Sequence, residues 1–115
     1  MVEQISKNKD IVIICKHGIF RSRHLYYLMK REGYENVDYG GVSLWSWRRA
    51  TIEMLKSANV IISVHPYTTT LLERKYQQES HQQVIQLYVP DIMLNRGVRK
   101  VNKDLEEQIQ AYLSE

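Results

Sequence analysis

The one cysteine of the sequence, Cys15, is followed six positions later by Arg21 and then by Ser22. A thiolate is a strong nucleophile, and an arginine presents a planar fork of donors that matches two oxygens of a phosphoryl group. A serine hydroxyl beside the thiolate can stabilise it as a leaving group. The spacing C-x5-R-S therefore indicates phosphate chemistry at a cysteine, whereas the alternative is the commoner role of a lone cysteine as buried core filler.

The residues between Cys15 and Arg21 are the candidate phosphate-binding loop. They are Lys16, His17, Gly18, Ile19 and Phe20. A loop that wraps back before a helix directs successive backbone N–H groups into one concavity, and the helix dipole adds positive charge there. Gly18 supplies the backbone freedom that a tight cradle requires. The basic side chains of Lys16 and His17 either strengthen anion binding or are solvated loop residues.

The elements around this loop alternate between strand and helix. Apolar β-branched runs predict strands at residues 10–15 and 59–64. Residues 36–42 and 84–89 are predicted as the second and fourth strands. Helical spacing predicts helices at 22–32, ending at a Gly33 cap, at 47–57 and at 66–76, where Pro66 suits a first turn. The apolar stripe of the closing helix consists of Leu105, Ile109, Tyr112 and Leu113. This alternation predicts a three-layer α/β domain with a parallel sheet. Ligands bind such sheets beyond the carboxyl ends of the strands, where Cys15 is expected.

Length and composition agree with one soluble domain covering residues 1–115. Hydrophobic residues make up 43% of the chain and charged residues 25%, and no apolar run is long enough to cross a membrane. The N-terminal residues lack a signal peptide, so we expect a cytoplasmic protein without a membrane partner. A single cysteine excludes internal disulfides and multi-cysteine metal sites, and His24, His65 and His81 lack metal-ligand spacing. We expect no metal and no cofactor, and interpret these histidines as packing or surface residues.

The chain resembles the low-molecular-weight protein tyrosine phosphatase family, whose members open with an apolar strand, a C-x5-R-S loop and a helix. The resemblance is specific over residues 15–22 and extends less specifically to 37–45, where Trp45 matches a pocket-lining aromatic. It implies a four-stranded parallel sheet with the order 2-1-3-4. It also implies hydrolysis of a phosphorylated protein or a small aryl phosphate through a phosphocysteine, with inorganic phosphate as a product. We assign Cys15 and Arg21 as catalytic and residues 16–20, Ser22 and Trp45 as substrate-binding.

The loop departs from the family pattern at two places. The family commonly has Gly-Asn and a second cysteine where Lys16-His17 and Phe20 stand in this chain. Without that second thiol the chain cannot form the protective disulfide of some relatives. The cysteine relay of the arsenate reductases that share this fold is excluded for the same reason.

A phosphatase of this kind needs a carboxylic acid that protonates the leaving oxygen and then activates water. Of the four aspartates, Asp10 lies at the wrong end of the first strand, Asp38 lies in or near the second strand, and Asp104 belongs to the final helix. Asp91 follows the fourth strand directly and emerges on the same edge as Cys15. The family usually has Asp-Pro, but some shorter relatives have Pro-Asp after the last strand, as here. Asp91 is therefore the candidate acid, the alternative being a turn residue beside Pro90.

Other features leave alternatives open. The basic cluster at residues 96–103 is interpreted as a solvated loop, or as a pocket rim that attracts phosphorylated substrates. A nucleic-acid partner is not expected, because no aromatic residues are interleaved with the basic ones. Two further functions compete with the hydrolase: a cysteine phosphocarrier module, and a catalytically weak domain that binds phosphate or a phosphoprotein.

Overall fold

The structure is a computed structural model that describes residues 4–16, 21–42, 49–88 and 98–113, the last range with side chains from residue 103 onward. Strands and helices alternate along these residues. The strands are β1 (Ile11–Cys15), β2 (Val37–Gly41), β3 (Val60–Ser63) and β4 (Gln83–Gln86). The helices are α1 (Arg21–Arg31), α2 (Ile52–Ser57), α3 (Pro66–Lys75) and α4 (Val98–Ile109), and a 3-10 turn at Gln110–Tyr112 follows α4.

The sheet confirms the predicted topology. Its four strands are parallel and lie in the order β2-β1-β3-β4. The chain leaves β1 toward β2 on one side and continues to β3 and β4 on the other, so the strand order reverses between β1 and β3. The carboxyl end of that boundary is where open α/β sheets bind ligands, and Cys15 is the last residue of β1.

Helices cover both faces of the sheet. On one face α1 and α4 pack Leu25 and Leu105 against Ile13, and on the other α2 packs Leu55 beside Ile14. All five side chains are fully buried. Complete burial of such a side chain stabilises a fold by roughly 1.5–3 kcal/mol. These two apolar layers confirm the three-layer α/β arrangement and make β1 a rigid support for the residue at its end.

The second helix begins later than its apolar spacing predicts. The structure has α2 start at Ile52, whereas the sequence predicts a helix from residue 47. Thr51 caps the helix, since its hydroxyl accepts the Met54 N–H at 3.1 Å. The residues just before it pair with the end of β2 instead: Arg49 forms an isolated parallel bridge with Gly41, and the Ala50 N–H donates to the Gly41 carbonyl at 2.9 Å.

Gly40 makes this bridge possible. A Cβ atom at Gly40 would lie 2.8 Å from the Ala50 nitrogen and 2.9 Å from its Cα, both backbone atoms. Only glycine permits so close an approach of two chains. The segment that precedes α2 is therefore held against the carboxyl end of β2, next to the strand that carries Cys15.

The last two elements also differ in part from the sequence expectations. The basic cluster, expected as a loop, belongs to α4 from Val98 onward. The apolar stripe of the closing segment is confirmed, because Leu105, Ile109 and Leu113 are buried and Tyr112 packs against the same core. The fourth strand ends at Gln86 and not at residue 89, and Val89 itself lies outside the described residues.

Candidate active site

The candidate nucleophile and its serine partner meet where β1 gives way to α1. The Cys15 thiol is buried, with 2% of the residue exposed, and its sulfur lies 3.1 Å from the Ser22 hydroxyl oxygen. Ser22 is fully buried as well. A hydroxyl at this distance can donate to a thiolate in a setting from which water is largely excluded. The pair predicted from sequence therefore lies in hydrogen-bonding contact.

Arg21 is the first residue of α1 and directly precedes Ser22 in the sequence. Its side chain is buried. The first turn of α1 contains no acidic residue, whereas its last turn carries Lys30 and Arg31. The cations stabilise the negative end of the helix dipole, and the positive end at Arg21 has no acidic side chain of the same helix beside it. Positive charge thus accumulates on the side of the fold where the thiol lies.

The structure brings four of the predicted site residues to one edge of the sheet. Cys15, Arg21 and Ser22 are buried there, and the half-buried Lys16 follows Cys15 directly, with its ammonium 5.5 Å from the centre of the Tyr67 ring. The other predicted residues lie outside the part of the chain that the structure describes: His17, Gly18, Ile19, Phe20, Trp45 and Asp91. Of the other aspartates, Asp10 precedes β1 at the opposite edge, Asp38 is within β2 and Asp104 is within α4, as expected.

The end of β3 contributes polar groups that were not predicted from the sequence as site residues. His65 is the N-cap of α3, and its Nδ1 accepts the Tyr67 N–H at 3.0 Å. The Ser63 hydroxyl donates to the His65 carbonyl at 3.0 Å and accepts from the Thr69 hydroxyl at 2.8 Å. The available signal was Pro66, because the residue before a first-turn proline occupies the capping position.

Away from this edge, the described residues form two surface grooves. Two surface grooves of about 330 and 300 Å³ open on the amino side of the sheet, and Cys15 lines neither. Within the described ranges, no three His, Cys, Asp or Glu side chains are grouped so that they could hold a metal ion. None of the helices described combines the length and apolar character that crossing a membrane requires.

Comparison with solved structures decides the fold. A low-molecular-weight protein tyrosine phosphatase from Streptococcus pyogenes matches with a TM-score of 0.74 at 15% identity, over 93% of this chain and 95% of that one. The tyrosine phosphatase Wzb from Escherichia coli K30, solved in complex with phosphate, matches with a TM-score of 0.71 at 15% identity, over 90% and 95%. The chain has the fold of the low-molecular-weight protein tyrosine phosphatases. No protein-family model matches the sequence, and no curated protein matches it significantly.

This phosphatase fold is shared with a second class of enzyme. A thioredoxin-dependent arsenate reductase from Corynebacterium glutamicum matches with a TM-score of 0.67 at 9% identity, over 90% of this chain and 59% of that one. The predicted resemblance is thus confirmed at the level of the fold. The chemistry has to be argued from the residues that this chain places at the end of β1.

Proposed function

We propose that the protein is a cysteine-dependent phosphomonoester hydrolase of the protein tyrosine phosphatase type, acting on a phosphorylated protein or a small aryl phosphate. The observation that carries the proposal is the buried contact of 3.1 Å between the Cys15 sulfur and the Ser22 hydroxyl, at the junction of β1 and a helix that begins with buried Arg21. The fold shared with tyrosine phosphatases supports it.

In the first step the Cys15 thiolate attacks phosphorus in line with the ester oxygen. An S–P bond forms and the P–O bond to the leaving group breaks. Asp91, as the general acid, gives its proton to the leaving oxygen. Arg21 and the backbone N–H groups of residues 16–21 hold the three equatorial oxygens, over which the negative charge of the transferring phosphoryl group is spread in the transition state.

In the second step water hydrolyses the phosphocysteine. The Asp91 carboxylate takes a proton from the water while its oxygen bonds to phosphorus, and the S–P bond breaks. The departing thiolate accepts a hydrogen bond from the Ser22 hydroxyl. Inorganic phosphate is released, Asp91 is protonated for the next cycle, and no cofactor is used. Trp45 is proposed to line the pocket around an aryl leaving group.

Hydrolysis of para-nitrophenyl phosphate tests this proposal. Removal of the nucleophile in Cys15→Ser should lower kcat/KM by at least about a thousandfold. Loss of the phosphate clamp in Arg21→Ala should lower kcat/KM by roughly 100- to 1,000-fold. Arg23→Ala, which removes an exposed arginine two positions along α1, is the matched control and should leave kcat/KM within about twofold.

Three results would contradict the hydrolase. Activity that survives Cys15→Ser would exclude the thiolate as nucleophile. A phosphocysteine that persists and is passed only to a protein or a sugar would indicate a phosphocarrier. Tight binding of inorganic phosphate or vanadate with no turnover of any phosphomonoester would indicate a binding domain.

A further inference from the structure

A second row of side chains lies one residue beyond Cys15 at the same edge of the sheet. Strands β1, β3 and β4 are paired in parallel register, and backbone hydrogen bonds continue the ladder one residue past the ends of β3 and β4. This places Val64 and Leu87 in the row of Cys15. In the same register, the next row consists of Lys16, His65 and Tyr88. Neighbouring strands are about 4.8 Å apart, so Tyr88 lies about 10 Å across the sheet from Lys16.

His65 and Tyr88 of this row contact each other, and Lys16 and His65 contact Tyr67 in the first turn of α3. The rings of His65 and Tyr88 have their centres 5.0 Å apart at an angle of 33°. The Lys16 ammonium lies 5.5 Å from the centre of the Tyr67 ring, and the Tyr67 N–H donates to the His65 ring nitrogen at 3.0 Å. We call these four residues, Lys16, His65, Tyr67 and Tyr88, the aromatic edge.

Both tyrosines of the aromatic edge are exposed although their backbones are fixed. Tyr67 is 51% exposed and Tyr88 is 62% exposed. The Gln108 side chain, from α4, accepts the Tyr88 N–H at 2.7 Å and donates to the Tyr88 carbonyl at 2.7 Å. Tyrosine, which presents an apolar ring with a polar tip, is enriched in protein interfaces. With only two rotatable side-chain angles, it loses little conformational entropy on binding.

We propose that the aromatic edge binds the polypeptide segment next to the phosphorylated residue of the substrate, and that it favours segments with aromatic and acidic side chains. This inference rests on the proposed function, because the phosphoryl group must occupy the loop that follows Cys15. The tyrosine rings provide apolar surface for an aromatic side chain. The Lys16 ammonium provides the charge that complements a carboxylate, and adds to the positive charge at the start of α1.

The distances suit a peptide and not a small ester. An extended chain advances about 3.3 Å per residue, so a segment that starts at the phosphorylated residue reaches Tyr88 within about three residues. A simple aryl phosphate ends within its own ring. Substitution of Tyr67 or Tyr88 should therefore affect peptide substrates and leave small aryl phosphates unchanged.

Binding to the Cys15→Ser variant, measured by calorimetry, tests the inference without turnover. The first probe is a capped phosphotyrosine peptide with glutamate and phenylalanine within three residues of the phosphotyrosine, and the second has glycine and serine there. Tyr88→Ala and Tyr67→Ala, made in the Cys15→Ser background, should each weaken binding of the first peptide by roughly 5- to 30-fold. Tyr88→Phe should retain most of the affinity, and the affinity for inorganic phosphate should be unchanged in every variant.

Tyr27→Ala is the matched control, since Tyr27 is 57% exposed but lies on α1 away from this edge. Equal affinities for the two peptides, or equal losses in Tyr27→Ala and Tyr88→Ala, would overturn the inference. Tighter binding of adenosine monophosphate than of the first peptide would overturn it in favour of a nucleotide.

The wild-type protein separates the two proposals. If it hydrolyses para-nitrophenyl phosphate through Cys15 while Tyr88→Ala and Tyr67→Ala bind the first peptide normally, only the aromatic edge is wrong. If no phosphomonoester is hydrolysed but the peptide binds through Tyr88, only the hydrolase is wrong.

Discussion

At the scale of single residues, the molecule places a thiol and a hydroxyl in a buried contact that a core-filling cysteine would not need. Cys15 and Ser22 are seven residues apart and come from a strand and a helix, yet their side-chain heteroatoms are 3.1 Å apart. A hydrogen bond to a charged group is worth about 1.5–3 kcal/mol, roughly twice one between neutral groups. In the proposed mechanism the contact therefore stabilises the thiolate when cysteine is the leaving group.

The variant Ser22→Ala tests that role. We expect kcat for para-nitrophenyl phosphate to fall roughly 10- to 100-fold and KM to fall with it, because the loss of one hydrogen bond to the departing thiolate slows hydrolysis of the phosphocysteine. Ser57→Ala, which removes an exposed hydroxyl on α2, should leave kcat unchanged. A stable Ser22→Ala protein with the wild-type kcat would show that the hydroxyl has no part in the chemistry.

Lys75, at the end of α3, gives a residue-scale prediction for stability. Its ammonium nitrogen is buried, and among the residues that the structure describes it has no hydrogen-bond partner. Burial and the nearby Arg49 lower the pKa of Lys75 from its ordinary value of 10.5. Because the charged form is disfavoured in the folded state, Lys75→Met should raise the free energy of unfolding by about 1 kcal/mol at neutral pH.

The sign of the pH dependence follows from that lowered pKa. Between the lowered pKa of Lys75 in the folded state and 10.5, the unfolded chain binds more protons than the folded one. The contribution of Lys75 to the free energy of unfolding of the wild type therefore rises with pH in this range. The advantage of Lys75→Met should therefore be complete at neutral pH and shrink as the pH approaches 10.5. Urea unfolding at several pH values measures this difference in stability between Lys75→Met and the wild type. The control is Arg74→Met, at an exposed neighbouring position. An advantage that grows with pH would contradict this assignment.

At the scale of elements, the site depends on strand-to-helix junctions that end at one edge. The turn from β1 to α1 supplies the thiol, the hydroxyl and the arginine, and the turn from β3 to α3 supplies the capping His65 and the ring of Tyr67. Each helix begins at this edge, so the positive ends of α1 and α3 both lie there. The sheet thus concentrates donors and positive charge where a phosphoryl group is proposed to bind.

The close approach of β2 to the segment before α2 leaves no room for a methyl group at Gly40. In Gly40→Ala the new carbon would meet backbone atoms of Ala50 at 2.8 and 2.9 Å, so one of the two chains must shift. We expect a loss of about 1–3 kcal/mol in the free energy of unfolding. We also expect a higher KM, because the segment from Val42 to Arg49 carries Trp45.

Gly33→Ala separates these two effects. Gly33 ends α1 with a φ of 98°, a conformation that other residues rarely adopt, and it lies at the opposite edge. Its substitution should destabilise the fold by about 1–2 kcal/mol and leave KM unchanged. Identical effects of the two substitutions on KM would mean that the segment before α2 does not shape the site.

The elements also show how far the sequence predicts the fold. Buried β-branched runs predicted β1 and β3, because a parallel sheet covered on both faces needs continuous apolar residues. Strands β2 and β4, which are only partly buried, were also predicted. The start of α2 was placed wrongly, since apolar spacing continues through Ala50 whereas the bridge to Gly41 depends on a distant strand. The contact between Cys15 and Ser22 and the position of Arg21 at the start of α1 could be predicted because the spacing of these residues is local. His65 and Tyr88 were missed because their contact joins residues that are far apart in sequence.

At the scale of the whole molecule, the two edges of the sheet have different tasks. The carboxyl edge carries the proposed chemistry, and the amino edge is held together by buried Gln82. The Gln82 side chain donates to the carbonyls of Leu55 and Ala58 at 2.6 and 2.9 Å, and accepts from the Tyr76 hydroxyl and the Glu79 N–H at 2.8 and 3.0 Å. One side chain therefore connects α2, the end of α3 and the start of β4.

Replacement of that side chain should affect stability alone. Gln82→Leu removes a hydrogen-bond partner from the two carbonyls, the Tyr76 hydroxyl and the Glu79 N–H, and should lower the free energy of unfolding by about 2–4 kcal/mol. Below the unfolding temperature kcat should be unchanged, because the substitution lies at the edge opposite Cys15. Gln77→Leu, at an exposed position nearby, is the control for stability. A large loss of kcat in folded Gln82→Leu protein would show that the two edges are coupled.

In the proposed mechanism Cys15 carries the phosphoryl group during turnover. Acid quenching of the wild-type enzyme in the steady state with para-nitrophenyl phosphate, followed by peptide mass spectrometry, tests it directly. We expect the added mass of one phosphoryl group on the peptide that contains Cys15, at a higher level in Ser22→Ala and absent from Cys15→Ser. Turnover with no phosphoryl group on that peptide, in wild type and Ser22→Ala alike, would contradict it.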